Sequence, residues 1–150
     1  MTKKILFIII TLFLNQCGYE KIYSSKNLNL SINEIKKENN LINNELSDTL
    51  LDIFSDKTSD NIFNLEIQSK KLTETKSKDS KGNPSVYVVK LETKIIATNN
   101  EKKYENIVRK EMNYNNNDDK FELSQYISEI EKILIKETVQ EIISFLTDIR

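Results

Sequence analysis

Between residues 61 and 114, apolar and polar side chains alternate in three runs, and this alternation constrains the fold more than any other feature of the chain. Phe63, Leu65 and Ile67 alternate with Asn64, Glu66 and Gln68. Tyr87, Val89, Leu91, Thr93, Ile95 and Ala97 alternate with Val86, Val88, Lys90, Glu92, Lys94 and Ile96. Tyr104, Val108, Met112 and Tyr114 share one parity, and Glu105, Ile107, Arg109 and Glu111 share the other. Successive side chains of a strand point to opposite faces, so a period of two marks a strand buried on one side only. The runs predict strands over 61–72, 85–98 and 102–114. Residues 73–84 read as a polar loop around the Gly82-Asn83-Pro84 turn signal. Asn99-Asn100 reads as a tight hairpin turn, because Asn tolerates positive φ. Three strands so joined form an antiparallel meander with one apolar face that needs a cover.

The flanking segments supply the cover. Leu28, Leu30 and Ile32 alternate with Asn29, Ser31 and Asn33, predicting a first strand over 28–36. Leu41/Ile42, Leu46, Leu50/Leu51 and Ile53/Phe54 recur at three- and four-residue spacing. That is the stripe of an amphipathic helix, over 41–56, with Asn39 or Asn40 as its cap. After the polar stretch 115–120, a long helix is expected over 123–148, with Ser124 as its cap. Its apolar residues, from Ile127 to Ile149, cover roughly 220° at about 100° per residue, so it should be buried on more than one side. The order is β-α-β-β-β-α. A crossover joins the first two strands, right-handed if they are parallel. The fold class expected is α+β: a two-layer sandwich, with two helices on one face of a four-stranded mixed sheet.

Composition narrows the function. The chain is 38% hydrophobic and 30% charged, enough for a folded core, and its net charge of −1 gives no case for a nucleic-acid binder. There is no histidine, which removes Ser-His-Asp and Cys-His mechanisms and the common zinc sites. The only glycines are Gly18 and Gly82, so no phosphate-cradling loop exists. Asp118-Asp119 reads as a solvated turn or a helix N-terminal charge. The expectation is a non-enzymatic protein with no catalytic residues, no metal and no dissociable cofactor. Asn, Lys and Ile are abundant, the mark of an A+T-rich genome, so a single Lys or Asn carries little weight by itself.

The amino terminus has its own logic. Lys3 and Lys4 precede Ile5–Leu14, apolar except for Thr11. Ten residues suit the apolar region of a signal peptide and fall short of the ~20 that span a bilayer. The run ends in Leu14-Asn15-Gln16-Cys17-Gly18, which resembles the lipobox of bacterial lipoproteins, although Asn15 and Gln16 stand where small residues are usual. That resemblance implies a signal peptide over 1–16, a diacylglycerol on the Cys17 sulfur as the only attached group, and cleavage before Cys17. Residues 17–27 would be the lipidated linker and 28–150 a single α+β domain. Two or three acyl chains anchor stably where one does not. Gly18 replaces the Asp that resembles an inner-membrane retention signal, which points to the outer membrane and its periplasmic side.

Cys17-Gly18-Tyr19, the linker ending at Tyr23, and the order strand, helix, three strands and long helix together resemble the lipopolysaccharide (LPS)-assembly lipoprotein family, LptE. The resemblance implies a plug in the lumen of the large outer-membrane β-barrel LptD, which helps that barrel fold and assists LPS transport to the outer leaflet. Barrel lumens are polar, and the charged sheet face could lie against one or simply be solvated. LPS phosphates would be met by lysine or arginine. The candidates are Lys90, Lys94 and Arg109 on the open face and Lys76, Lys78 and Lys81 in the loop, with ordinary solubility as the alternative role. A competing expectation is a periplasm-facing lipoprotein that binds a small apolar ligand, or serves a lipid transporter, through the wide apolar arc of the last helix.

Overall fold

A computed structural model describes residues 29–54 and 59–150. The expected signal peptide, Cys17 and the linker lie outside the described residues, as do Leu28 and the last two positions of the expected first helix. The elements are β1 (Ser31–Lys37), α1 (Leu41–Phe54), β2 (Ile62–Lys78), β3 (Pro84–Asn99), β4 (Lys102–Asn115) and α2 (Lys120–Asp148). This is the expected β-α-β-β-β-α order. The sheet order is β1-β2-β3-β4, with β1 parallel to β2 and the other pairs antiparallel.

Both helices lie on the face carrying Phe63, Leu65, Ile67, Val89, Leu91, Ile95 and Val108, all buried. From α1 come Leu46, Leu50 and Phe54, and from α2 Ile130, Leu134, Val139, Ile142, Ile143 and Leu146. The buried positions of α2 do span a wide arc, because the helix packs on β3, β4 and α1 together. Ile133 is the exception and stays 43% exposed. Lys71 of β2 pairs with Glu131, and Lys110 of β4 pairs with Glu141 at 3.2 Å, so charges brace α2 on both sides of its apolar stripe. The buried Thr93 hydroxyl meets the Ser69 hydroxyl at 2.9 Å, and Thr138 donates to the Leu134 carbonyl at 2.8 Å, so neither is left unpaired.

Four expected boundaries shift, each for a local reason. β2 runs on to Lys78, so most of the expected 73–84 loop is strand. Thr73–Lys78 is polar on both sides and shows no alternation, yet it is held in the ladder by β3. The true turn is 79–83. There Asp79 Oδ1 accepts from the Lys81 and Asn83 amides, both at 2.8 Å, and Gly82 takes φ +85°. The second hairpin turns on Asn100 and Glu101, φ +45° and +67°, because Asn99 pairs with Lys102. The cap of α2 is Asp119 rather than Ser124. Its Oδ1 accepts from the Phe121 and Glu122 amides at 2.9 and 3.0 Å. The first turn, Lys-Phe-Glu, is exposed and so carried no apolar signal. In β1, an irregularity between Ile32 and Glu34 lets Ile32 and Ile35, an odd number of residues apart, both pack on the core. Asn40 Oδ1 accepts from the Asn43 amide at 2.8 Å and is the cap of α1.

Two stability predictions follow from the packing and the turn. Ile142→Ala should cost about 2–5 kcal/mol in urea unfolding, and Ile133→Ala about 0.5 kcal/mol or less, although both sit on the same helix. A turn with two positive φ values suits Asn-Gly, whereas Glu101 has a Cβ that crowds its carbonyl. Glu101→Gly should therefore raise stability by about 1 kcal/mol, measured by the same unfolding midpoint.

Candidate functional site

The second face of the sheet has no helix layer among the described residues. The register sets its rows. Lys70, Glu92 and Arg109 lie side by side across β2, β3 and β4, and the next rows are Gln68-Lys94-Ile107 and Leu72-Lys90-Glu111. Charges pair both within a row and between neighbouring rows. Arg109 Nε donates to Glu92 at 2.6 Å, Lys94 pairs with Glu105 at 2.9 Å, and Lys90 pairs with Glu74. The hydrogen bond and charge of Glu74 raise the pKa of Lys90 above its ordinary value. Such exposed pairs add little stability, but they make the face locally neutral while keeping it polar.

The structure brings together three of the six basic residues singled out for phosphate. Lys90, Lys94 and Arg109 sit in the middle of the open face, each with a carboxylate already at hand. Lys76 lies toward the far end and donates to Asn113 Oδ1 at 3.0 Å. Lys78 ends β2 and Lys81 is in the hairpin tip, so neither joins the central group. Among the described residues no group of three His, Cys, Asp or Glu side chains could hold a metal, and no helix is long and apolar enough to cross a membrane. The apolar arc of α2 is packed into the core, with residues such as Ile142 and Leu146 fully buried.

Sequence reasoning missed a second site. Where β4 gives way to α2, a cleft of about 510 Å³ opens between Asn113, Tyr114, Asn115 and Asn116 on one side and Glu122 and Tyr126 on the other. The local bonds are structural in part. The Asn116 side chain donates to the Pro84 carbonyl at 3.1 Å, and Asn117 bridges the Asp119 amide at 3.0 Å and Glu122 at 3.2 Å. The Tyr114 ring stacks on Tyr87, with centroids 5.2 Å apart. The available signal was the Asn115–Asn117 run directly after Tyr114, hidden by the abundance of Asn throughout the chain.

A two-helix layer on one face of a β1-β2-β3-β4 sheet, with a parallel first pair and a bare second face, is a specific topology, and it has counterparts. The fold resembles that of rare lipoprotein B. The Shewanella oneidensis rare lipoprotein B matches with a TM-score of 0.54 at 13% identity, over 78% of this chain and 98% of its own. Lipoprotein B of Nitrosomonas europaea matches with a TM-score of 0.58 at 12% identity, over 75% and 79%. A candidate lipoprotein of Caulobacter crescentus CB15 gives 0.58 at 9% identity, over 78% and 88%. No protein-family model matches the chain, and no curated protein does. The rare lipoprotein B fold is thus shared through its architecture, at identities where side-chain roles do not transfer.

Burial raises the Tyr114 pKa above its ordinary value of 10.0, with Tyr87 adding to the effect. The neutral phenol is therefore the form the fold favours. Its contribution is complete below pH 10.0 and is lost as pH rises through the higher folded value. Tyr114→Phe should lose less stability than the parent between pH 9 and pH 11, read from thermal midpoints across that range.

Proposed function

We propose that the chain is an outer-membrane lipoprotein, tethered through acyl chains on Cys17 and facing the periplasm. Its sheet-and-helix body plugs the lumen of a large β-barrel of the LptD kind, supports assembly of that barrel, and assists LPS transport to the outer leaflet. The observation that carries this reading is the bare sheet face. Three strands of 14–17 residues present rows of paired charge with no covering layer among the described residues. A barrel lumen is polar. A face that is polar yet locally neutralised can sit against such a wall without stranding unpaired charge in a confined space. The lipobox-like Cys17, the Cys-Gly-Tyr motif and a fold like that of rare lipoprotein B all support the same reading.

The plug has no need of chemistry in this reading, only of shape and polarity. The six basic candidates then divide by geometry. Lys90, Lys94 and Arg109 would meet LPS phosphates only by exchanging their present carboxylate partners. Lys76 would have to leave Asn113, and Lys78 and Lys81, at the hairpin end, reach solvent beyond the central ion pairs.

The test is affinity purification of the full-length protein from outer membranes of its own bacterium in mild detergent. A large outer-membrane barrel should co-purify in near-equal amount, and Cys17→Ala should move the protein out of the membrane fraction. Recovery of the native protein as a soluble, unpartnered species with a free Cys17 thiol would overturn the proposal.

A further inference from the structure

β4 is the outermost strand on the side of the sheet away from β1, and among the described residues no strand pairs with its outer edge. We propose that this edge pairs antiparallel with β4 of a second copy of the chain, about a two-fold axis at Ile107, joining two sheets into one. The pairing uses the backbone edge and leaves both faces of each sheet as they are. The inference therefore does not depend on the barrel reading above.

The existing ladder fixes which backbone groups are available. The Asn116 amide donates to the Ser85 carbonyl at 2.9 Å, so even-numbered residues turn their N–H and C=O groups toward β3 and odd-numbered ones turn theirs outward. The Ile107 N–H accordingly donates to Asn106 Oδ1 at 2.9 Å and not to a β3 carbonyl. The same odd-numbered residues place their side chains on the open face, where Ile107 stands opposite Lys94 and Arg109 opposite Glu92. Ile107 is 40% exposed, an apolar side chain in the middle of this outward row.

A free edge is a template for another strand, and charges of a single sign guard it by repelling a copy. The charges of β4 are ordered differently. They reverse sign about Ile107, with Glu105 and Arg109 two residues to either side and Lys103 and Glu111 four residues to either side. A two-fold register centred on Ile107 therefore sets Glu105 opposite Arg109 and Lys103 opposite Glu111, each pair twice, and brings the two Ile107 side chains face to face at the axis. On the other face it sets Asn106 opposite Val108, Tyr104 opposite Lys110 and Lys102 opposite Met112, with no like pair. Every other two-fold register centred between 105 and 111 opposes like charges. Glu105, Arg109, Lys110 or Glu111 meets its own copy, or Lys103 meets Arg109, or Glu105 meets Glu111. Lys103 and Glu111 form no ion pair among the described residues, and the Ile107 register supplies one to each. A second copy is also the occupant with an edge to offer. A closed barrel has none, and the segment before Asn29 joins the sheet at β1, the opposite edge.

The test is sedimentation equilibrium of the full-length protein in a density-matched detergent. A monomer–dimer equilibrium is expected, mostly dimer at about 100 µM, since cross-strand pairs are individually weak and the interface is small. Arg109→Glu and Glu105→Arg should each weaken it roughly tenfold, because each sets like charges opposite one another on both sides of the axis. An equimolar mixture of the two variants should recover the dimer mass as a heterodimer. The double variant Glu105→Arg/Arg109→Glu should recover it in a single chain, since opposite charges then face each other again. Each reversal also removes one exposed ion pair within its own chain, which adds little stability, so melting curves near that of the parent will show that the variants fold. A single copy throughout, a dimer unmoved by either reversal, or failure of the mixture or of the double variant to recover it would each overturn the proposal.

Discussion

Everything in this fold follows from placing one face of a long three-stranded meander under two helices. Alternate side chains of β2, β3 and β4 all reach the same side, and burying each Leu, Ile or Phe there contributes about 1.5–3 kcal/mol. A single helix cannot cover the sheet. α2, apolar over a wide arc, needs a second apolar neighbour beside it, and α1 fills that place. β1 is the geometric means to this end. By pairing parallel to β2, it lets the chain return through α1 on the covered side. With both helices engaged on one layer, the opposite face has no helix layer among the described residues.

The molecule therefore offers two different polar surfaces. The open face is broad and charged, but its cations and anions alternate from strand to strand, and the close pairs Arg109–Glu92 and Lys94–Glu105 cancel locally. Such a surface tolerates confinement against another polar wall, and long-range attraction for an anion is weak because no unbalanced positive field builds up. The cleft at the far end is smaller and is lined by asparagines of the β4–α2 junction together with Tyr114, Glu122, Leu123 and Tyr126. Lys76 reaches from β2 to Asn113 at the margin of the cleft.

Much of the architecture was legible in the residues. Phe63, Leu65 and Ile67 announced β2, and the long alternation from Val86 to Ala97 announced β3, because a period of two has no other common cause. The ends were harder. Thr73–Lys78 is strand without any apolar signal, since its ladder partners in β3 hold it and no helix covers it. Asp119 rather than Ser124 caps α2, because an exposed first turn leaves no periodic trace. The candidate site divides in the same way. Lys90, Lys94 and Arg109 could be placed on one face by parity alone, whereas Glu74, Glu105 and Glu92 as their partners depend on register and rotamer.

By itself the sequence determined the secondary-structure order, the identity of the buried face and the polarity of the other, because these depend on periodicity along one chain. Only the tertiary structure decided that β1 lies parallel beside β2, that the open-face cations are already paired, and that Asn113, Asn115 and Tyr126 share a cleft. Those facts depend on which distant residues become neighbours. Strand register and helix placement set that, through a balance of many small contacts that no local pattern records.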